Sequence, residues 1–360
     1  MYRKQRIAVV IPAYNEETQI EDTLNRMPNW IDRLVVVDDC SRDTTRDVIG
    51  RLAQANTRIV PIYHEQNGGV GAAISSGYVW CRDNDIDIAV VMAGDGQMDP
   101  KDLPNLLDPV VEDRTDYAKG NRLLTGKAWE RIPKVRYIGN SALSLMTKVA
   151  SGYWHVTDSQ TGYTALNRRA LKLLPLEEIF PRYGMPNDFL VTLNIYGMRV
   201  VDVPVNPVYG IGEKSGIKIS RVLFSLSWLM LRLFVRRMTQ KYIIRDFHPL
   251  VFFYALGAFL FCLDIPLGAR LISLWYTQGA VPQMTALAML FCTILGFQSL
   301  LFAMLFDMEA NRELKGLGPF RGARGWVRAS QDADLKVIYE DTLGAPLSNH
   351  ETETSEGLPQ

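Results

Sequence analysis

A chain of 360 residues with 39 basic and 39 acidic side chains has no net charge, so its overall electrostatics give nucleic acid no reason to bind. It is also longer than one hydrophobic core usually serves, and a domain of about 200 residues with further elements is expected. Cys40, Cys81, Cys262 and Cys292 are scattered without a C-x-x-C pair; they offer no disulfide framework, argue against a zinc site and suit a reducing compartment.

In chain order, the N-terminus has basic residues but only the short run IAVVI before Pro12, too short for a signal-peptide core, so the first domain is expected in the cytosol. From Ile7 to about Val205, β-branched runs (IAVVI, RLVVVDD, TRIVPIYH, IAVVMAG) alternate with amphipathic stretches such as 17–27 and 44–54. Continuous apolar strands alternating with helices predict a mostly parallel sheet covered on both faces, whose ligands gather at the carboxyl ends of the strands. Polar clusters fall at those ends: Pro12-Ala13-Tyr14-Asn15-Glu16, Asp38-Asp39-Cys40-Ser41 and Gly94-Asp95-Gly96-Gln97.

After Gly216 the character changes. Val222, Leu223, Leu226, Leu229, Met230 and Leu233 recur near helical spacing among Arg221, Arg232, Arg236, Arg237 and Lys241, the pattern of a basic amphipathic helix lying on a membrane or, alternatively, of a helix packed on a core. Two apolar stretches follow, from Pro249 and from Met284 to Phe306, each long enough for a span that needs roughly 20 helical residues. Asp264, Pro266 and Arg270 interrupt the first, compatible with a kink, an interfacial turn or packing within a homo-oligomer. Basic residues at both outer ends of this hairpin place both termini in the cytoplasm. The expected division is 1–215, the α/β domain with its polar strand ends; 216–247, juxtamembrane helices; 248–307, two spans; 308–339, a membrane-proximal segment; and 340–360, a disordered acidic tail.

The loop VMAGDGQMDP carries acids at ligand-like spacing but has Ala93 two residues before Asp95. Departure of a diphosphate is favoured by a divalent cation, Mg2+ or Mn2+, which takes oxygen ligands and needs one or two protein carboxylates when phosphates supply the rest. Asp95 with the side-chain oxygen of Gln97 can hold such an ion; an ordinary Asp-Gly turn is the plainer reading. NGGVGAAISSG follows the third strand rather than the first and lacks a distal acid, so it reads as a glycine-permitted loop before a helix rather than a dinucleotide fingerprint. His64 and His155 have no second histidine at ligand spacing and read as structural.

Taken together, VVIPAYNEE, VVVDDCSRDTT, HEQNGGVGAA, GDGQMDP, GNR and DSQTGY occur in an order and spacing similar to family-2 inverting glycosyltransferases of the A-type, Rossmann-like nucleotide-sugar fold. Within that family the chain resembles dolichyl-phosphate mannose synthases and bacterial polyprenyl-phosphate glycosyltransferases over about residues 5–310. The resemblance implies donor binding by Pro12, Ala13, Tyr14, Glu16, Asp39 and Asp95, and a metal at Asp95 and Gln97, with Ala93 in place of the first acid of the motif and Val70 where many relatives carry lysine. It implies catalytic roles for Asp95, Arg122, Asp158 and Asp188, and an acceptor phosphate met by Arg136, Lys214 and Lys218, the last two in GEKSGIKIS where the family has Ser-Lys.

The expected activity is inverting transfer of a hexose from a nucleotide sugar of the GDP-mannose or UDP-glucose type to a polyprenyl or dolichyl phosphate at the cytoplasmic leaflet. A processive polysaccharide synthase of the same fold is an alternative, weakened by the lack of a Gln-x-x-Arg-Trp motif and of further spans. A membrane scaffold with a degraded site is another, weakened by retention of Asp39, Asp95, Gln97 and Arg122.

Overall fold

Ile7, Val9 and Ile11 face one side of the first strand while Ala8 and Val10 face the other, and all five are fully buried. That two-sided burial is why the run is continuously apolar instead of alternating. In the computed structural model, residues 1–123, 134–206 and 219–317 are described, with backbone alone over 134–142 and 219–225.

The sheet has seven strands: β1 (Ile7–Ala13), β2 (Arg33–Asp38), β3 (Ile59–Tyr63), β4 (Ile88–Val91), β5 (Tyr117–Asn121), β6 (Thr164–Asn167) and β7 (Val200–Pro204), in the order β3-β2-β1-β4-β6-β5-β7. β6 alone runs antiparallel to its neighbours β4 and β5. One face carries α1 (Ile20–Asn25), α2 (Thr45–Ala55) and α4 (Leu103–Val111), through Leu24, Ile49 and Leu107; the other carries α3 (Val70–Asp83), α6 (Arg168–Leu173) and α7 (Met185–Ile195), through Tyr78, Leu171 and Phe189. The chain winds outward through β2 to β3 and returns to β4 on the far side of β1. This reversal opens a crevice at the strand carboxyl ends between β1 and β4. The first helix is shorter than the predicted 17–27, because Gln19 and Ile20 both donate to the Glu16 carbonyl and a turn precedes it.

Beyond the sheet lie α5 (Lys134–Ser151) and α8 (Ile219–Thr239), the latter running into a wider π-turn at Gln240–Arg245. The predicted membrane-facing stripe of α8 requires correction within the described side chains. Met230 and Leu233 are buried against Ala150, Val191 and Ile195, and it is Trp228, Leu231 and Val235 that stay more than half exposed. The helix is apolar on two sides, so a single stripe could not identify which side meets the protein. Two long helices complete the chain, α9 (Leu250–Gln278) and α10 (Gln283–Ala310), both long and apolar enough to cross a membrane. Pro266 lies inside α9 without ending it, and Asp264 accepts a hydrogen bond of 2.9 Å from Thr293 of α10, a polar link inside the hairpin. Residues 340–360 and most of 308–339 lie outside the described residues.

Candidate active site

The loops after β1 and β2 brace each other. Asn15 donates its backbone N–H to Ser41 Oγ at 3.0 Å while its side chain accepts from Arg42 N at 2.9 Å, and Glu17 accepts from both the N–H and hydroxyl of Thr44. Asn15 and Cys40 take left-handed backbone angles, which Asn tolerates better than most residues. The third loop approaches closely because residue 94 is glycine: a Cβ there would lie 3.3 Å from the Pro12 carbonyl. After it, Asp95 Oδ1 caps the turn by accepting from Gln97 N at 3.0 Å.

These loops enclose a cavity of about 430 Å³ lined by all six predicted donor residues, Pro12, Ala13, Tyr14, Glu16, Asp39 and Asp95, together with Val70, Ala93, Arg182 and Tyr183. Burial first, then the neighbouring carboxylates of Asp95 and Asp43, push Glu16 up to about 7. A cation lowers the energy of such adjacent acids, and a hard divalent ion that draws most ligands from phosphates fits the Asp95 carboxylate, the one member of the expected metal pair that lines the cavity. Among the described residues no three His, Cys, Asp or Glu side chains converge on one point, so Ala93 is not replaced by another acid in a complete protein cage.

Asp39 lines the cavity yet spends three hydrogen bonds on the loop that follows β3: from Gly68 N at 2.9 Å, Gly69 N at 2.7 Å and His64 Nδ1 at 2.8 Å. These bonds leave one lone-pair site of the carboxylate. The other ring nitrogen of His64 meets Ser76 at 2.9 Å, giving this histidine a bracing role.

Arg122 and Asp158, predicted separately, form a bidentate pair at 2.8 and 3.1 Å. Burial alone would raise the Asp158 carboxyl, but bonding to Arg122 and the positive charges of Arg122 and Lys119 hold it below the ordinary carboxylate range. A layer the sequence reading missed supports this pair. Lys119, fully buried on β5, is brought down to about 8 by burial against the pull of Asp158 and Asp202, and donates to the Thr161 carbonyl. Asn121, two residues on and so on the same face, donates to Asp202 at 2.6 Å. Only the alternation of the KGNR run signals that Lys119 and Asn121 act together.

Asp188 is placed elsewhere. It does not line the cavity; its carboxylate pairs with Arg236 at 2.9 Å and accepts from Phe180 N at 2.9 Å. Burial raises its carboxyl despite the arginine. Gln97 also lies outside the lining, touching Asp95 through its backbone. Lys214 and Lys218 lie outside the described residues, as does the side chain of Arg136. Arg182 and Tyr183, from the loop before α7, were not anticipated; a surface loop between two prolines carries no periodic signal.

Comparison with known proteins matches residues 8–174 to the glycosyl transferase family 2 model. The UDP-N-acetylglucosamine–dolichyl-phosphate N-acetylglucosaminyltransferase of Methanococcus voltae is 32% identical over 216 residues, 56% of this chain and 86% of its own. The undecaprenyl-phosphate mannosyltransferase of Micrococcus luteus is 30% identical, covering 56% of this chain and 82% of its own. The polyprenol monophosphomannose synthase of Mycolicibacterium smegmatis is 28% identical, covering 62% and 86%. Among solved structures, glucosyl-3-phosphoglycerate synthase from Mycobacterium tuberculosis with Mn2+ and UDP-glucose is 21% identical, covers 65% of this chain and 79% of its own, and has a TM-score of 0.47. With the motif loops gathered around one cavity and relatives aligned along most of their own length, the chain belongs to glycosyltransferase family 2 and is a glycosyltransferase.

Proposed function

We propose that this enzyme transfers a hexose from a nucleoside-diphosphate sugar to a polyprenyl phosphate at the cytoplasmic leaflet, inverting the anomeric centre. The observation that carries the reading is the attachment of a domain with a cavity of about 430 Å³ at its strand ends to two membrane-length helices. Support also comes from the relatives, whose names specify dolichyl, undecaprenyl and polyprenol phosphate products or acceptors. The exposed Trp228, Leu231 and Val235 of α8, continued by Ile244 and Phe247, suit burial in the headgroup region. Flanking cations, including Arg245 and Arg312, favour a cytoplasmic catalytic domain.

In the reaction, an oxygen of the lipid phosphate attacks the anomeric carbon from the face opposite the leaving group. The carbon–oxygen bond to the donor diphosphate breaks, and the nucleoside diphosphate departs with the electron pair. A phosphate monoester has a second pKa of about 6, so the nucleophile is already ionised and needs no strong base. Positioning and charge screening therefore carry catalysis. Asp95 would hold a divalent ion, with Gln97 beside it in the same turn, and the ion when bound would supply positive charge to the departing diphosphate. We assign the bidentate Arg122–Asp158 pair, which lies outside the described cavity lining, to positioning the donor for attack.

Incubating purified full-length protein with polyprenyl phosphate and a panel of labelled UDP- and GDP-sugars tests the reading and names the donor. Transfer of one label into organic-extractable lipid is expected; no lipid labelling from any donor, with an authentic synthase active in parallel, contradicts it.

A further inference from the structure

Among the described residues lining the cavity, three are acids, Glu16, Asp39 and Asp95, and one is a cation, Arg182. The arginines near the other predicted positions are all engaged: Arg122 with Asp158, Arg236 with Asp188 and Arg237 with Asp307. The exposed Arg182 guanidinium makes no hydrogen bond or ion pair to a described residue. Its backbone, by contrast, is held from two sides.

One side is α3. The Pro181 carbonyl accepts from Ala72 N at 3.1 Å. A Cβ on Gly69 would sit 2.7 Å from that carbonyl oxygen and 3.0 Å from Arg182 Cγ, and a Cβ on Gly71 would strike the Phe180 carbonyl and lie 2.8 Å from the Pro181 carbonyl carbon. The glycines of NGGVG thus let the segment 180–184 lie directly on the N-terminal turn of α3. Gly69 also takes a φ of +94°, open to glycine at no steric cost.

The other side is α8. Gly184 lies against Leu229, and Asp188 links the Phe180 amide to Arg236. A continuous set of contacts therefore runs from the amphipathic helix through Asp188 and Phe180 to the cavity mouth, with Arg182 at its end.

We propose that Arg182 is a substrate-binding residue that engages a phosphate oxyanion, set at the cavity mouth by an arm clamped between α3 and α8. The proposal rests on the glycosyl-transfer reading. An arginine is suited to the place because its planar fork binds phosphate oxygens in pairs and stays charged at every working pH. Sharing the cavity with three carboxylates, it also offsets repulsion of an incoming anion. Fixing the backbone of the arm while the guanidinium has no partner among the described residues lowers the ordering cost of binding without spending the donors on them. Two ligands of this enzyme carry the required group, the donor diphosphate and the lipid monophosphate.

The test uses full-length protein in detergent, with UDP and GDP titrated calorimetrically in the presence of Mn2+, and uridine and guanosine as phosphate-free probes. With Arg182→Ala, affinity for the diphosphate that wild type prefers falls about ten- to a hundredfold, the range for a charged hydrogen bond, while nucleoside affinity is unchanged; Arg182→Lys recovers part of the loss. If the lipid phosphate is the partner, diphosphate affinity is retained and KM for polyprenyl phosphate rises by a similar factor. Unchanged diphosphate affinity together with unchanged KM overturns the proposal while leaving the functional reading in place. Wild-type protein that binds neither diphosphate and transfers no sugar overturns the functional reading, and the proposal with it.

Discussion

Arg237 of α8 and Asp307 of α10 form a bidentate ion pair at 2.7 and 2.9 Å with neither side chain exposed to solvent. Arg237 also donates to the Ala150 and Val149 carbonyls at the end of α5, and Asp307 accepts from Tyr242 and Trp154. Lys241 and Asn311 extend the network to Asn194 of α7. Through this node the second long helix is joined to α8 and, beyond it, to two helices of the catalytic domain, α5 and α7, so the hairpin fixes the domain's orientation as well as tethering it. Truncating one partner strands a buried charge and costs about 3–5 kcal/mol, whereas replacing both by apolar side chains is often close to neutral. Arg237→Met and Asp307→Leu are each expected to lower the unfolding temperature in detergent, and the double variant to lose less than the two losses added. Single variants that melt like wild type contradict this account.

The Arg122–Asp158 pair gives a prediction about turnover. Asp158→Asn keeps the shape but loses the charge that fixes the guanidinium, and kcat is expected to fall about a hundredfold, as for other pre-arranged polar groups. Because Asp158 lies outside the cavity lining, KM for the donor should change much less. A kcat within about threefold of wild type contradicts a role for the pair in the reaction.

His155 predicts a pH dependence of stability. Burial brings it down to about 4, despite its 2.9 Å bond to the Val200 carbonyl, with Lys315 and Lys148 adding to the depression. The unfolded imidazole gains a proton below its ordinary value of about 6.5, while the folded one resists until about 4. Stability from this group is therefore complete above about 6.5 and is lost as pH falls toward 4, by about 3 kcal/mol. His155→Gln should flatten that part of the melting-temperature profile; an unchanged slope places its origin elsewhere.

Gly77 predicts the cost of close packing. On helix propensity alone, Gly77→Ala gains about 1 kcal/mol. A Cβ there, however, would collide with Val10 Cγ1 of the central strand, and overpacking costs about 1–3 kcal/mol. Net destabilisation is expected by thermal unfolding, and a stabilised variant would show that α3 can move off the sheet.

The parts of the fold legible in the sequence are those in which one physical demand dominates. β1, β2 and β4 are buried on both faces and read as unbroken apolar runs, and the long helices α9 and α10 announce themselves by length. β5 and β6 did not, because YAKGN and TALN carry polar groups whose burial is made tolerable by partners far away in sequence. The donor cavity was legible because short motifs stand at strand ends in chain order. Arg182 was not, since it reaches the cavity only through the packing of 180–184 on Gly69 and Gly71. Asp188, read from its motif as an acceptor-side acid, is engaged with Arg236 and Phe180; a partner 48 residues away on α8 could not be inferred from local spacing.

The central claim is that a cavity built around Asp95 drives sugar transfer to a lipid phosphate even though Ala93 supplies no second acid. The direct measurement compares wild type with Asp95→Asn in polyprenyl-phosphate vesicles, using the donor found active, with Mg2+, Mn2+ or EDTA, and following label into extractable lipid. The account predicts metal-dependent labelling by wild type, lost with EDTA and reduced by at least about a hundredfold in Asp95→Asn. Labelling that persists in EDTA, or in a folded Asp95→Asn protein, would contradict it.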